Sequence, residues 1–152
     1  MKGKNVMAHS DYIKMEFPSK SVNESFARAA VACFVARLDP TLEELSDIKT
    51  AVSEAVTNCI VHAYPEAIGT IWLRAKIIDE TIIEITIRDS GIGIPDVKKA
   101  REPMYTTGGD DRSGMGFTIM ESFMDKIRVR SSEGKGTTVF MSRQIVSRAH
   151  EI

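Results

Sequence analysis

Ser53-Glu-Ala-Val-Thr-Asn58 falls inside a helical pattern, and two glycine punctuations follow it downstream, Asp89-Ser-Gly-Ile-Gly93 and Ser113-Gly-Met-Gly116. Residues four apart share a helix face, so Glu54 and Asn58 point the same way. A carboxylate there can act as a base, and an amide oxygen can bind a hard cation such as magnesium. On an arbitrary helix such a pair is simply a solvated face. What sets this one apart is the order of three elements with Gly136-Thr137 after them, which chance seldom supplies.

The chain has 152 residues, 43% of them hydrophobic, enough for one domain around one core. That domain is expected over 11–145, with 1–10 a polar, patternless and disordered extension and 146–152 a tail. Twenty basic residues against 21 acidic leave a net charge of −1. No long-range field then recruits nucleic acid or an anionic membrane, and neither is expected as a direct partner. No stretch approaches the roughly 20 apolar residues of a membrane span, and no secretory signal is evident, so a cytoplasmic location is expected. Cys33 and Cys59 both sit among apolar residues of helical segments and read as reduced core thiols. The three histidines show no metal-ligand spacing.

Around the opening motif the chain alternates strands and helices. Ile13, Met15 and Phe17 alternate with polar residues before Pro18, the mark of a strand with one buried face. Ser21-Val-Asn-Glu24 has the form of a capping box for a first helix that is apolar nearly all round, with Glu24, Arg28 and Arg37 marking its wet side. Such a helix is either sandwiched inside the protein or offers its second face to a partner. Thr41-Leu-Glu-Glu44 caps a second helix running to about Ala63, whose core stripe is Leu45, Ile48, Val52, Ala55, Val56 and Cys59. His62 continues the Glu54 and Asn58 edge one turn on, which puts it either in a pocket or at the surface.

Thr70–Ile78 and Thr81–Asp89 form strands joined by a tight turn at Asp79-Glu80. Alternation carries Asp89 onto the buried face, where a carboxylate needs a ligand or backbone donors. A short helix is expected near Asp96–Arg101, then a long irregular loop with the character of a lid. A helix resumes after Gly116, and strands at Lys126–Ser131 and Thr137–Ser142 close the chain, with Thr137, Val139 and Met141 on one face.

This order of motifs resembles the Bergerat-fold ATP site of the gyrase, Hsp90, histidine-kinase and MutL (GHKL) superfamily. Glu24-Ser-Phe-Ala-Arg28, Ser53-Glu-Ala-Val-Thr-Asn58 and Ser113-Gly-Met-Gly-Phe-Thr-Ile-Met-Glu121 look more specifically like the anti-sigma kinases of spore-forming bacteria, over about Asp11 to Met141. The resemblance implies an α+β two-layer sandwich, with a mixed, mostly antiparallel sheet, helices on one face and a mobile ATP lid. It implies ATP or ADP with Mg2+ as cofactors. Asp89 would accept a hydrogen bond from the adenine amino group, which guanine lacks at that place. Gly91 and Gly93 would let backbone approach the ring, and Thr137 would support Asp89 directly or through a water. Ser113, Gly114, Met115, Gly116 and Phe117 would place a helix start against the phosphates. Asn58 would hold the magnesium ion, and Glu54 would be the catalytic base.

In the lid, Arg112 is either a second catalytic group that offsets charge on the transferred phosphoryl group or a solvated residue. Thr106 and Thr107 stand equally between phosphate contact and solvent. Thr107-Gly-Gly-Asp-Asp-Arg112 is more glycine-rich than the family pattern. The implied activity is that of a homodimeric protein serine kinase. It would sequester a sporulation sigma factor of the sigma F type and phosphorylate its anti-anti-sigma factor on serine, with Glu24 and Arg28 as partner-binding residues. A stress-response anti-sigma kinase, a histidine-kinase-like domain and a pure binding module are the competing readings.

Overall fold

A computed structural model describes residues 10–102 and 116–146 of the chain. The expectations for residues 1–9, for most of the lid and for 147–152 lie outside the described residues. Strand β1 (Ser10–Pro18) is followed by helix α1 (Ser21–Val35), a 3-10 turn (Ala36–Leu38) and helix α2 (Leu42–Asn58), which continues into a π-helical turn (Cys59–Ala63). Strands β2 (Thr70–Ile78) and β3 (Ile82–Asp89), the short helix α3 (Val97–Ala100), helix α4 (Gly116–Phe123), and strands β4 (Lys126–Ser131) and β5 (Thr137–Gln144) complete the order.

The five strands form one sheet in the order β1-β2-β3-β5-β4. Every pair is antiparallel, so the parallel component of the expected mixed sheet is absent from the described residues. The turn between β2 and β3 is made by Asp79 and Glu80, both at positive φ (52° and 57°). Two left-handed residues in a row match the right-handed twist of a hairpin, as the tight turn required.

Side chains of alternating parity send Leu73, Ala75, Ile83, Ile85, Ile87 and Met141 into a core that α1, α2 and α4 cover. Each fully buried side chain of this size contributes about 1.5–3 kcal/mol, so the layer contact is the main source of stability. On α2 the expected stripe is buried from Ile48 to Cys59, with Leu45 only partly so. The Thr41 capping box is present. Thr41 Oγ1 accepts from Glu44 N at 3.0 Å, and Glu44 Oε1 accepts from Thr41 N at 2.9 Å. The second oxygen of Glu44 accepts from Val146 N at 2.7 Å, so this buried carboxylate also ties down the end of the described chain.

Helix α1 departs from its reading in three ways. Lys20, not Ser21, is the N-cap, with no side-chain cap; Glu24 is drawn instead to α2. Ala27, Val31, Phe34 and Val35 are buried, whereas Val22 and Phe26 are 72% and 60% exposed. Cys33 is exposed as well, so only Cys59 is a core thiol. The reason is angular. Val22, Phe26, Ala29 and Cys33 follow one another at helical spacing on the side opposite the buried stripe, so an all-round apolar helix meets its layer with one face only.

The ends of α2 and α4 are fastened together near the far edge of the core. Arg143 Nη1 donates to Asp47 Oδ2 at 2.9 Å and to the carbonyl of Phe123, the last residue of α4, at 2.6 Å. This cation at a helix C-terminus satisfies an otherwise orphaned carbonyl and fixes α4 lengthwise against α2.

Candidate functional site

The length and placement of α4 decide the geometry of the site. Its first residue, Gly116, lies so close to α2 that an added Cβ would meet Asn58 Oδ1 at 3.3 Å, Asn58 Nδ2 at 3.4 Å and Glu54 Oε1 at 3.4 Å. Two motifs separated by more than fifty residues of chain thus come together. Glu54 and Asn58 are both half-buried, neither in the core nor on an open face. Replacing Gly116 by alanine improves helix propensity but pushes a methyl group between these side chains. Gly116→Ala is expected to leave the melting temperature within a few degrees of the parent and to weaken nucleotide binding about tenfold. Thermal unfolding and titration calorimetry on the same samples check both halves.

Asp89 is 4% exposed at the last position of β3, paired across the sheet with Ile71 on β2 and Thr137 on β5. Oδ1 accepts from Gly91 N at 2.9 Å and from Thr137 N at 3.2 Å. Among the described residues Oδ2 accepts only from the thiol of Cys59, at 3.4 Å. A thiol is a weak donor, so Oδ2 keeps the capacity to accept a stronger hydrogen bond. Burial raises the Asp89 carboxyl above its ordinary value, although the donors from Gly91, Cys59 and Thr137 and the charge of Arg88 pull the other way. Burial pushes the Cys59 thiol well up, helped by the neighbouring carboxylate, so it stays protonated and donates.

The support from Thr137 comes through its backbone N–H and not its hydroxyl. The hydroxyl pairs with Ser131 Oγ at 2.8 Å, and Ser131 Oγ also donates to Gly136 O at 2.9 Å and accepts from Ile94 N at 2.8 Å. Ser131 therefore organises the junction of β4, β5 and the glycine turn. The two glycines of the Asp89 motif also have a reason within the chain. A Cβ on Gly91 would sit 2.2 Å from Ala63 O, and Gly93, at φ 79°, would place one 2.0 Å from Ser132 O. They allow the π turn and the β4–β5 turn to close on Asp89.

Sequence reasoning missed Ser131, Cys59 and Tyr64 as site builders. Tyr64 Oη donates to Thr70 O at 2.7 Å and accepts from Ser90 N at 2.7 Å, locking the end of the π turn beside Asp89. The Tyr64-Pro65 punctuation was its one signal, and it marked a loop without marking a tie. The π turn also bears on His62, because a wider turn after Asn58 breaks the regular i, i+4 succession that carried His62 onto the Glu54 edge. His62 is half-buried there. Phe117 is a core residue, 8% exposed, so only its backbone is available to a ligand. Thr106, Thr107, Arg112, Ser113, Gly114 and Met115 lie outside the described residues.

Glu24 and Arg28 form the expected i, i+4 pair, at 3.5 Å, but they are not free on a wet face. The hydroxyl of Ser53 donates to Glu24 Oε2 and accepts from Arg28 Nη1 at 3.3 Å. The pair is thereby joined to the residue that precedes Glu54.

The donor set fits a magnesium nucleotide. Among the described residues no group of three or more His, Cys, Asp or Glu could hold a metal by itself. Magnesium typically takes one or two protein oxygens and fills its shell with phosphates and water, for which a single amide oxygen at Asn58 suffices. That oxygen stands beside the Cβ-free first described residue of α4, and Cys59, its neighbour in the chain, touches the buried acceptor Asp89.

The model of the histidine kinase-like ATPase domain matches residues 17–143. An anti-sigma F factor of Caldanaerobacter subterraneus subsp. tengcongensis is 55% identical over 140 residues, 91% of this chain and 97% of that protein. Those of Pasteuria penetrans (56% identical, 88% and 90%) and Geobacillus kaustophilus (52%, 86% and 90%) are similarly close. Among solved structures, the RsbU and RsbW domains of a Mycobacterium tuberculosis protein superpose with a TM-score of 0.63 at 17% identity, covering 88% of this chain and 32% of that one. The histidine kinase domain of a blue-light activated kinase from Erythrobacter litoralis gives 0.57 at 20% identity, covering 84% and 63%. These two support the fold alone. The chain belongs to the histidine kinase-like ATPase domain family and, within it, to the anti-sigma F factors.

Proposed function

We propose that the protein is an ATP-dependent protein serine kinase of the cytoplasm that also sequesters a sigma factor of the sigma F type, and that its substrate is the cognate anti-anti-sigma factor. The observation that carries the kinase half is the meeting of Gly116 with Glu54 and Asn58. It sets a carboxylate beside the place where a helix start would receive phosphates. A clamp that only held nucleotide would need the metal ligand and no base. Magnesium bound at Asn58 would offset phosphate charge. The chain's own residues do the rest: Asp89 orients the base of the nucleotide, and Glu54 takes the proton from the attacking serine hydroxyl.

The sequestering half is supported by the names of the relatives and by the surface of α1. Its exposed Val22, Phe26 and Cys33 lie on the same helix as the paired Glu24 and Arg28, and among the described residues β1 is an edge of the sheet. An apolar stripe beside an edge strand suits a second copy of this chain, with the Glu24–Arg28 pair left to read the sigma factor.

The test is to incubate the protein with magnesium-ATP and candidate anti-anti-sigma proteins and locate the phosphate. An acid-stable phosphoserine on the partner is the expected product. An acid-labile phosphohistidine would favour a histidine-kinase-like activity, and binding without transfer would leave a nucleotide clamp.

A further inference from the structure

The helices bury one face of the sheet, and among the described residues no element covers the opposite face along its five strands. Its charge is lopsided. On β4 Lys126, Arg128 and Arg130 all point to this side and are exposed. Arg74 and Lys76 on β2, Arg88 on β3 and Lys14 on β1 share the face by alternation, whereas its acidic groups are Glu16 and Glu84. The whole chain has a net charge of −1, so this excess of cations is matched by an acidic remainder elsewhere.

The register lines these groups up in rows. Arg130, Thr138, Arg88, Trp72 and Glu16 are successive cross-strand neighbours, and Arg128, Phe140, Thr86, Arg74 and Lys14 form the next row. The arginines do not neutralise themselves on carboxylates. Among the described residues none of Arg74, Arg88, Arg128 and Arg130 has an acidic group in ion-pair range. Arg88 lies over the Trp72 ring at 4.0 Å, and Arg128 over Phe140 at 4.4 Å. A guanidinium resting on a ring loses little freedom on binding and keeps N–H groups that can pair with a carboxylate.

We infer that this open face is a docking surface for an acidic segment of a protein partner. An extended nucleic acid fits less well, for two reasons. Of the three aromatic rings that the described residues place on the face, Trp72 and Phe140 each have a guanidinium resting on them, which leaves Tyr12 as the ring most open to stack on a base. The face is only about 20 Å across at the usual strand spacing, so a long polyanion would run on over the acidic remainder of the molecule. A short acidic peptide segment can be confined to the rows of cations, with Glu16 and Glu84 penalising misplaced carboxylates.

The chain's single tryptophan, Trp72, lies on this face and reports on it directly. The intact protein would be titrated with a short Asp/Glu-rich peptide, with a single-stranded oligonucleotide of equal charge, and with vesicles containing phosphatidylserine, following Trp72 fluorescence. The peptide is expected to give a saturable change that weakens with salt, and to bind more tightly than the other two. Arg74→Glu with Arg128→Glu should weaken the peptide about tenfold or more while magnesium-ATP binding is unchanged. Should that reversal prevent folding, Arg74→Gln with Arg128→Gln gives a smaller loss in the same direction. Tighter binding of the oligonucleotide or the vesicles would overturn the assignment. So would a peptide affinity indifferent to the substitutions, or an unresponsive Trp72.

Discussion

Glu54→Gln is expected to bind magnesium-ATP as tightly as the parent, within about threefold, and to transfer phosphate roughly 100 to 10,000 times more slowly. The amide keeps the size of the carboxylate and its place beside Gly116, so the groove keeps its shape. What it loses is the ability to accept a proton. A removed general base lowers kcat without a matching rise in KM, because the interaction exists mainly in the transition state. Calorimetry gives the binding half and a single-turnover phosphorylation assay the chemical half. Transfer at the parent rate would mean that another group takes the proton and that Glu54 only shapes the groove.

Asp89→Asn is expected to separate stability from binding. Oδ1 of the asparagine can still accept from Gly91 and Thr137, but Oδ2 becomes an amide nitrogen that donates where, in the proposed nucleotide site, the adenine amino group would also donate. One hydrogen bond is lost and two donors are opposed, a cost of about 3 kcal/mol or roughly a hundredfold in affinity. Stability moves the other way. Because burial raises the folded-state pKa of Asp89 above its unfolded value, the stability linked to its proton is complete below the unfolded pKa and lost as pH rises through the folded pKa. At neutral pH the nucleotide-free parent carries the cost of a buried charge that the asparagine variant lacks. The variant should therefore melt no lower than the parent at neutral pH, and the difference between them should shrink as pH falls. A lower melting temperature at neutral pH together with unchanged nucleotide affinity would contradict the role given to Oδ2.

Much of this site was legible in the sequence because its logic is local. Strand alternation from Ile83 to Ile87 carried Asp89 to the buried face without any tertiary knowledge. Spacing alone put Glu54 and Asn58 on one side of α2. Strand boundaries were read closely where a turn residue or a proline ended the pattern, as at Pro18 and Ile78. What failed depended on contacts between distant segments. The Ser21 box had the right letters, yet Ser53 on α2 claimed Glu24 instead. Cys33 looked buried because α1 is apolar on both sides, and only the packing of one layer against one sheet decides which side is covered. The π turn after Asn58 is invisible to a 3.6-residue periodicity, and it changes the spacing by which His62 was set along the Glu54 edge. Ser131 and the thiol of Cys59 gave no signal, since a serine on an edge strand and a cysteine in a core stripe are ordinary residues until a carboxylate arrives beside them.

Joining Asp89 at one end of a groove to Asn58 at the other predicts a ligand with an amino-bearing purine, a phosphate chain and a divalent cation, in that spatial order. Titration calorimetry of the intact protein with ATP and GTP, each with and without magnesium, tests this most directly. The account predicts that ATP binds at least tenfold more tightly than GTP and that omitting magnesium weakens it substantially. Equal affinity for the two nucleotides, or binding indifferent to the metal, would contradict it.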